Sequence, residues 1–146
     1  ILLELANCMS DKTQPLSDDI CTGLQIANFC QDMSRDAAIG RIYAPEELWS
    51  GHGVTESMIL KRQPTDELKS MLREWVQETH QYFHRGKQLI ALVPKWLATD
   101  VELFLRGGQS ILQEIERQDY DVWTRRPEIS KWKKLKLLLG IWCWPR

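Results

Sequence analysis

One helix sets the terms on which this chain can fold. From Ile20 to Cys30 the sequence is dominated by apolar and small residues, and a polar line of Gln25, Asn28, Asp32 and Asp36, spaced three, four and four apart, runs along this helix. At about 100° per residue, these side chains fall within roughly 80° of arc on one helical face. A helix apolar on most of its circumference is expected to be buried. Two carboxylates on a buried line then need compensation, because an unpaired buried charge is very costly. A divalent cation is one partner that supplies it.

Helical periodicity dominates the rest of the chain and strand alternation is nearly absent, so the fold class reads as all-α. Residues 1–9 resemble the tail of an amphipathic helix, and Asp11–Pro15 a polar turn. Ser17 suits an N-cap, and Asp18 and Asp19 complement the positive end of the helix dipole. The second helix is therefore expected from Ser17 to about Ala38, ended by Gly40. Residues 41–64 read as irregular, with helical turns at Pro45–Trp49 and Thr55–Lys61. Thr65 caps a long helix whose Leu68, Leu72, Trp75, Thr79, Tyr82, Phe83, Gly86, Leu89, Ile90 and Val93 keep period until Pro94. Trp96–Gln118 forms the next, with Val101, Phe104, Leu105, Ile111, Leu112 and Ile115 inward. Gly107 and Gly108 in its middle each cost about 1 kcal/mol relative to Ala, which close approach of another helix or a ligand would offset. Tyr120–Glu128 reads as a polar connection, and Ser130 as the cap of a last helix reaching about Trp142.

A length of 146 residues fits one domain with a real core, spanning 1–146. The net charge of −1 gives no ground for nucleic-acid binding. The charge is uneven, however: residues 1–50 hold eight acids against three bases, and residues 117–146 eight bases against three acids. Such asymmetry can draw an anionic ligand toward the basic end. Cys8, Cys21, Cys30 and Cys143 form no CxxC pair and read as small buried thiols in a reducing compartment. No stretch approaches the roughly 20 apolar residues that cross a bilayer, and residues 1–9 lack the basic start of a signal peptide. These features point to the cytoplasm. Lys131, Lys133, Lys134 and Lys136, interleaved with Trp132 and followed by Trp142 and Trp144, suit either an amphipathic helix with one wet face or peripheral contact with an anionic membrane surface.

Asp32 and Asp36 make a D-x-x-x-D pair one helical turn apart. Magnesium prefers oxygen ligands and commonly bridges one or two protein carboxylates to phosphate oxygens. Asn28 extends that oxygen ladder and Gln25 sits behind it; a solvated helix face is the alternative. Arg41, in Gly40-Arg41-Ile42-Tyr43, can neutralise a phosphate group or pair with Asp36, or be an ordinary surface arginine beside a packed Tyr43. His80 and His84 lie one turn apart with no third ligand nearby and read as core-edge residues. No G-x-S-x-G, P-loop or G-x-G-x-x-G sequence occurs.

The run Leu24-Gln25-Ile26-Ala27-Asn28-Phe29-Cys30-Gln31-Asp32-Met33-Ser34-Arg35-Asp36, followed by Gly40-Arg41-Ile42-Tyr43-Ala44-Pro45, resembles the second aspartate-rich motif of the squalene/phytoene synthase family. Asp100-Val101-Glu102-Leu103-Phe104-Leu105-Arg106-Gly107-Gly108, Tyr120-Asp121-Val122-Trp123, Arg125-Arg126-Pro127 and Ser130-Lys131 look like the bacterial hydroxysqualene synthase branch of hopanoid biosynthesis.

The resemblance implies an isoprenoid synthase helical bundle around a central cavity, of which this chain would be the C-terminal half. It implies Asp32 and Asp36 as catalytic metal ligands for Mg²⁺, Asn28 assisting, and Gln25, Arg41 and Tyr43 on the substrate side. The implied substrate is an isoprenoid diphosphate: presqualene diphosphate, converted to hydroxysqualene with release of diphosphate, or farnesyl diphosphate in a squalene, phytoene or presqualene diphosphate synthase. The family's first aspartate-rich motif has no counterpart in these residues. The expectation is that the 146 residues alone are inactive and that an N-terminal half of the same protein supplies the facing wall. A non-catalytic assembly or binding protein of the same fold is the alternative of another class.

Overall fold

The computed structural model describes residues 1–130. Among them are six α-helices and no strand: α1 (Leu2–Leu5), α2 (Thr13–Ala38), α3 (Glu46–Gly51), α4 (Glu56–Lys61), α5 (Asp66–Gly86) and α6 (Lys95–Arg117), with a 3₁₀ helix at Lys87–Leu92. The all-α expectation holds. The terminal helix, the basic run 131–136, Cys143 and the last two tryptophans lie outside the described residues.

Capping explains several boundaries. Thr65 accepts a hydrogen bond from the Leu68 amide and starts α5, and Thr55 does the same for Met58 at the start of α4. The start of α2 is a correction: it begins at Thr13, not Ser17. Ser10 and Thr13 exchange backbone-to-hydroxyl hydrogen bonds of 2.9 and 3.1 Å, a reciprocal cap one turn earlier than the sequence suggested. Pro15 is no obstacle so close to the helix start, where its missing amide hydrogen would have no intrahelical partner. At the other end of the central hairpin, α5 stops at Gly86 and continues as the 3₁₀ helix, a tightening common at helix termini.

The core forms where α2, α5 and α6 pack against one another. Leu68, Leu72, Val76, Leu112 and Ile115 are fully buried, each contributing about 1.5–3 kcal/mol through burial. Phe83 of α5 sits in a notch made by two glycines. A Cβ on Gly108 would lie 2.4 Å from Phe83 Cζ and 2.9 Å from Leu24 Cδ2, and one on Gly23 would lie 2.8 Å from Phe83 Cε1. Close helix approach thus accounts for Gly108 but not for Gly107, which has open space around it. Two inward assignments are corrected. Phe104 is half exposed, because α6 turns that side away from α2 and α5, and Cys21 is exposed on the outer side of α2 while Cys30 is buried.

Candidate functional site

The packing of α2 is one-sided. Its small residues Gly23, Ala27, Cys30 and Ala37 face the core, which lets α5 and α6 approach closely. The polar stripe lies on the opposite, open side: Gln25 and Asn28 are exposed, and Asp32 and Asp36 half-buried. This corrects the expectation of a helix buried nearly all round. Apolar residues along α2 are divided between a packed face and an open one, so the carboxylates keep partial hydration.

The end of α2 brings the next segment back toward the stripe. Gly40 takes a left-handed conformation (φ +72°). Its amide donates to the Ala37 carbonyl at 3.1 Å and the Arg41 amide to the Asp36 carbonyl at 2.9 Å, a Schellman closure. Arg41 and Asp36 are therefore joined through the backbone, where the sequence had allowed a side-chain ion pair. Two residues on, the Tyr43 ring stacks on Phe29 at 4.3 Å between centroids and 8° between planes, and Phe29 in turn faces Trp75 at 6.5 Å. Asn28, Phe29, Asp32, Arg35, Asp36 and Tyr43 line one open depression of about 370 Å³. Arg41, Asp36 and Tyr43 also border a narrow cleft of about 10 Å³, lined as well by Trp75 and Ile59. Of the six residues assigned to the diphosphate site, Gln25 alone borders neither.

Asp32 has a partner that spacing could not reveal. Arg126, 94 residues away, donates from Nε to Asp32 Oδ1 at 2.7 Å and from Nη2 to Oδ2 at 3.0 Å. This fork holds the Asp32 carboxyl below its ordinary range, against the opposing effect of partial burial, and raises Arg126 in turn. Arg35 approaches Oδ1 at 3.8 Å from a more exposed position, and Glu128 lies 4.0 Å from Arg126. Asp36 makes no side-chain hydrogen bond or ion pair among the described residues. The only sequence signal for the Asp32–Arg126 pair is the surplus of acids early and of bases late in the chain.

The donor types suit a hard cation. Two carboxylates and an amide on successive turns offer oxygen ligands. Among the described residues no three His, Cys, Asp or Glu side chains gather at one point, so the remaining oxygens of an octahedral shell would come from ligand, water or residues beyond the described ones. A cation at Asp32 also competes with Arg126 for the same two oxygens. The other pairing considered, His80 and His84, is not a metal pair: His80 Nε2 lies 2.9 Å from Glu116 Oε1, linking α5 to α6, and His84 is exposed.

A family model described as squalene/phytoene synthase matches residues 1–133. Among curated proteins, the chloroplastic phytoene synthase of Daucus carota is 32% identical over 111 residues, 76% of this chain and 28% of that protein. The phytoene synthase of Arthrospira platensis is 29% identical over 126 residues, 85% of this chain and 41% of that one. The crystal structure of squalene synthase HpnC from Alicyclobacillus acidocaldarius superposes with a TM-score of 0.80 at 38% identity, covering 82% of this chain and 46% of that chain. A dehydrosqualene synthase solved with a ligand shares the fold, with a TM-score of 0.77 at 17% identity. The chain spans less than half the length of each of these relatives.

Proposed function

The chain belongs to the squalene/phytoene synthase family, and from that premise we propose that the full-length gene product carrying it converts an isoprenoid diphosphate, with presqualene diphosphate as substrate and hydroxysqualene and diphosphate as products. The observation that carries the proposal is the convergence of Asn28, Asp32, Asp36 and Tyr43 on one open depression beside an arginine-bearing turn. In this reading Asn28, Asp32 and Asp36 hold Mg²⁺, which when bound supplies Lewis-acid neutralisation of the leaving diphosphate. Arg41 and Arg126 add positive charge at the two ends of the carboxylate pair. The stacked Phe29 and Tyr43 present an apolar wall beside them, which suits a hydrocarbon chain and keeps water from the reacting carbon until the C–O bond has broken. Water then supplies the hydroxyl of the product, and its proton leaves to solvent. The open side of the stripe is where this reading places the facing acidic wall, contributed by sequence beyond these residues.

The squalene side of the family is favoured by 38% identity to a squalene synthase structure, against 29–32% to the phytoene synthases named above. Phytoene synthesis from an allylic diphosphate is the second reading, supported by those same curated relatives. Incubating the full-length gene product and Mg²⁺ separately with presqualene, farnesyl and geranylgeranyl diphosphates, and identifying products by mass, decides between them. Hydroxysqualene from presqualene diphosphate supports the first reading, and phytoene the second. Product from none of the three leaves the non-catalytic binding role. No helix among the described residues is long and apolar enough to cross a membrane, and peripheral contact through residues 131–146 is part of the proposal.

A further inference from the structure

Two consecutive residues of α2 hold two consecutive residues of the C-terminal segment. Asp32 pairs with Arg126, and its neighbour Gln31 donates from Nε2 to the Pro127 carbonyl at 2.6 Å. The two contacts differ in environment. Gln31 is 8% exposed and Pro127 is buried, whereas the Asp32–Arg126 pair is open to solvent on one side. A buried amide-to-carbonyl bond is expensive to break, because both groups would be left without partners. An exposed ion pair yields readily to a competing cation or to salt.

The segment carries its own internal support. Asp121 Oδ1 accepts from the Trp123 and Thr124 amides at 3.1 and 2.9 Å, and Val122 and Trp123 are buried beneath that turn. That turn fixes residues 121–124, and the Gln31 bond fixes residue 127. Arg126 lies between the two anchors with its guanidinium free to swing only about its own side-chain torsions. A neutral amide suits the task, since a charged donor beside Asp32 would add a further cation to Arg126 and Arg35.

We infer that Gln31 is a positioning residue: by anchoring the Pro127 carbonyl it keeps the Arg126 guanidinium at the Asp32 carboxylate, and keeps it within reach of the stripe when a divalent cation takes that carboxylate. The inference rests on the reading of Asp32 as a site residue, but its test needs no turnover.

The test is nitrogen-15 NMR of the full-length gene product without metal, following exchange of the Arg126 Nε proton with water. In the unsubstituted chain the proton is protected by Asp32. Gln31→Met keeps the side-chain length and removes the donor, and is expected to speed exchange at least tenfold while core methyl signals of Leu68, Leu72 and Ile115 stay in place. Pro127→Ala keeps the carbonyl acceptor and is expected to leave exchange within twofold. If Gln31→Met does not fold, Gln31→Asn, which keeps the amide but falls a methylene short, makes the same comparison. Unchanged Arg126 protection in a folded Gln31 variant overturns the inference, as does equal loss of protection in Pro127→Ala, which would assign the positioning to the proline ring. Failure of the synthase reading would show only in product analysis and leave this exchange measurement unaffected.

Discussion

The Asp32 carboxylate and the Arg126 guanidinium form a two-point fork, with hydrogen bonds of 2.7 and 3.0 Å joining α2 to a segment 94 residues later in the chain. The fork gives Asp32 a structural role beside the metal-binding one proposed for it. Because Arg126 lowers the Asp32 pKa below its ordinary value of 3.8, folding gains from the ionised form.

That gain has a definite pH window. A group whose folded pKa is depressed contributes fully above its unfolded value and loses that contribution as pH falls through the folded one. Asp32→Asn should therefore lower Tm by a constant amount at neutral pH, and the difference from the parent chain should shrink as pH falls below 4 or so. A double-mutant cycle with Arg126→Met should give a coupling of about 1 kcal/mol, as suits a half-exposed ion pair. A Tm difference that persists undiminished at pH 2.5 would show that ionisation is not its source.

The two neighbouring glycines of α6 should respond in opposite directions. Gly107 has open space around its Cα, so Gly107→Ala should stabilise the chain by about 1 kcal/mol through helix propensity. Gly108 faces Phe83 and Leu24, so Gly108→Ala should destabilise by about 1–3 kcal/mol through overpacking. Urea denaturation of both variants checks this, and equal effects at the two sites would refute the notch around Phe83.

Thiol reactivity should separate two cysteines of the same helix. Burial pushes the Cys30 thiol well above its ordinary range, while Cys21 is exposed. A thiol reagent mapped by peptide mass should label Cys21 in the native chain and Cys30 only under unfolding conditions. Native labelling of Cys30 at a comparable rate would mean that α2 does not bury that face.

Local chemistry was readable from the sequence and long-range pairing was not. The Thr65 cap, the Gly40 closure and the common face of Asn28, Asp32 and Asp36 each depend on residues within about a turn of one another, so spacing alone reveals them. The exposure of the stripe is not legible in the sequence because hydrophobicity along α2 does not say which side α5 and α6 will take. Local sequence favours Ser17 as the helix start, with Asp18 and Asp19 following it and Asp11–Pro15 reading as a turn, and does not reveal the Ser10–Thr13 exchange that starts the helix earlier. Arg126 and Gln31 were not connected to their partners because tertiary folding, and no local rule, brings residues 31–32 against 126–127.

The same contrast selects the residue on which the account is best tested. Replacing Asp32 disturbs both the fork and any metal site, but Asp36 makes no side-chain bond among the described residues, so Asp36→Ala should leave folding intact. In the full-length gene product with Mg²⁺ and presqualene diphosphate, Asp36→Ala should cut diphosphate release by at least about 100-fold with Tm unchanged. Diphosphate release at the parental rate by the folded variant would contradict the assignment of this stripe as the metal-binding wall of the site.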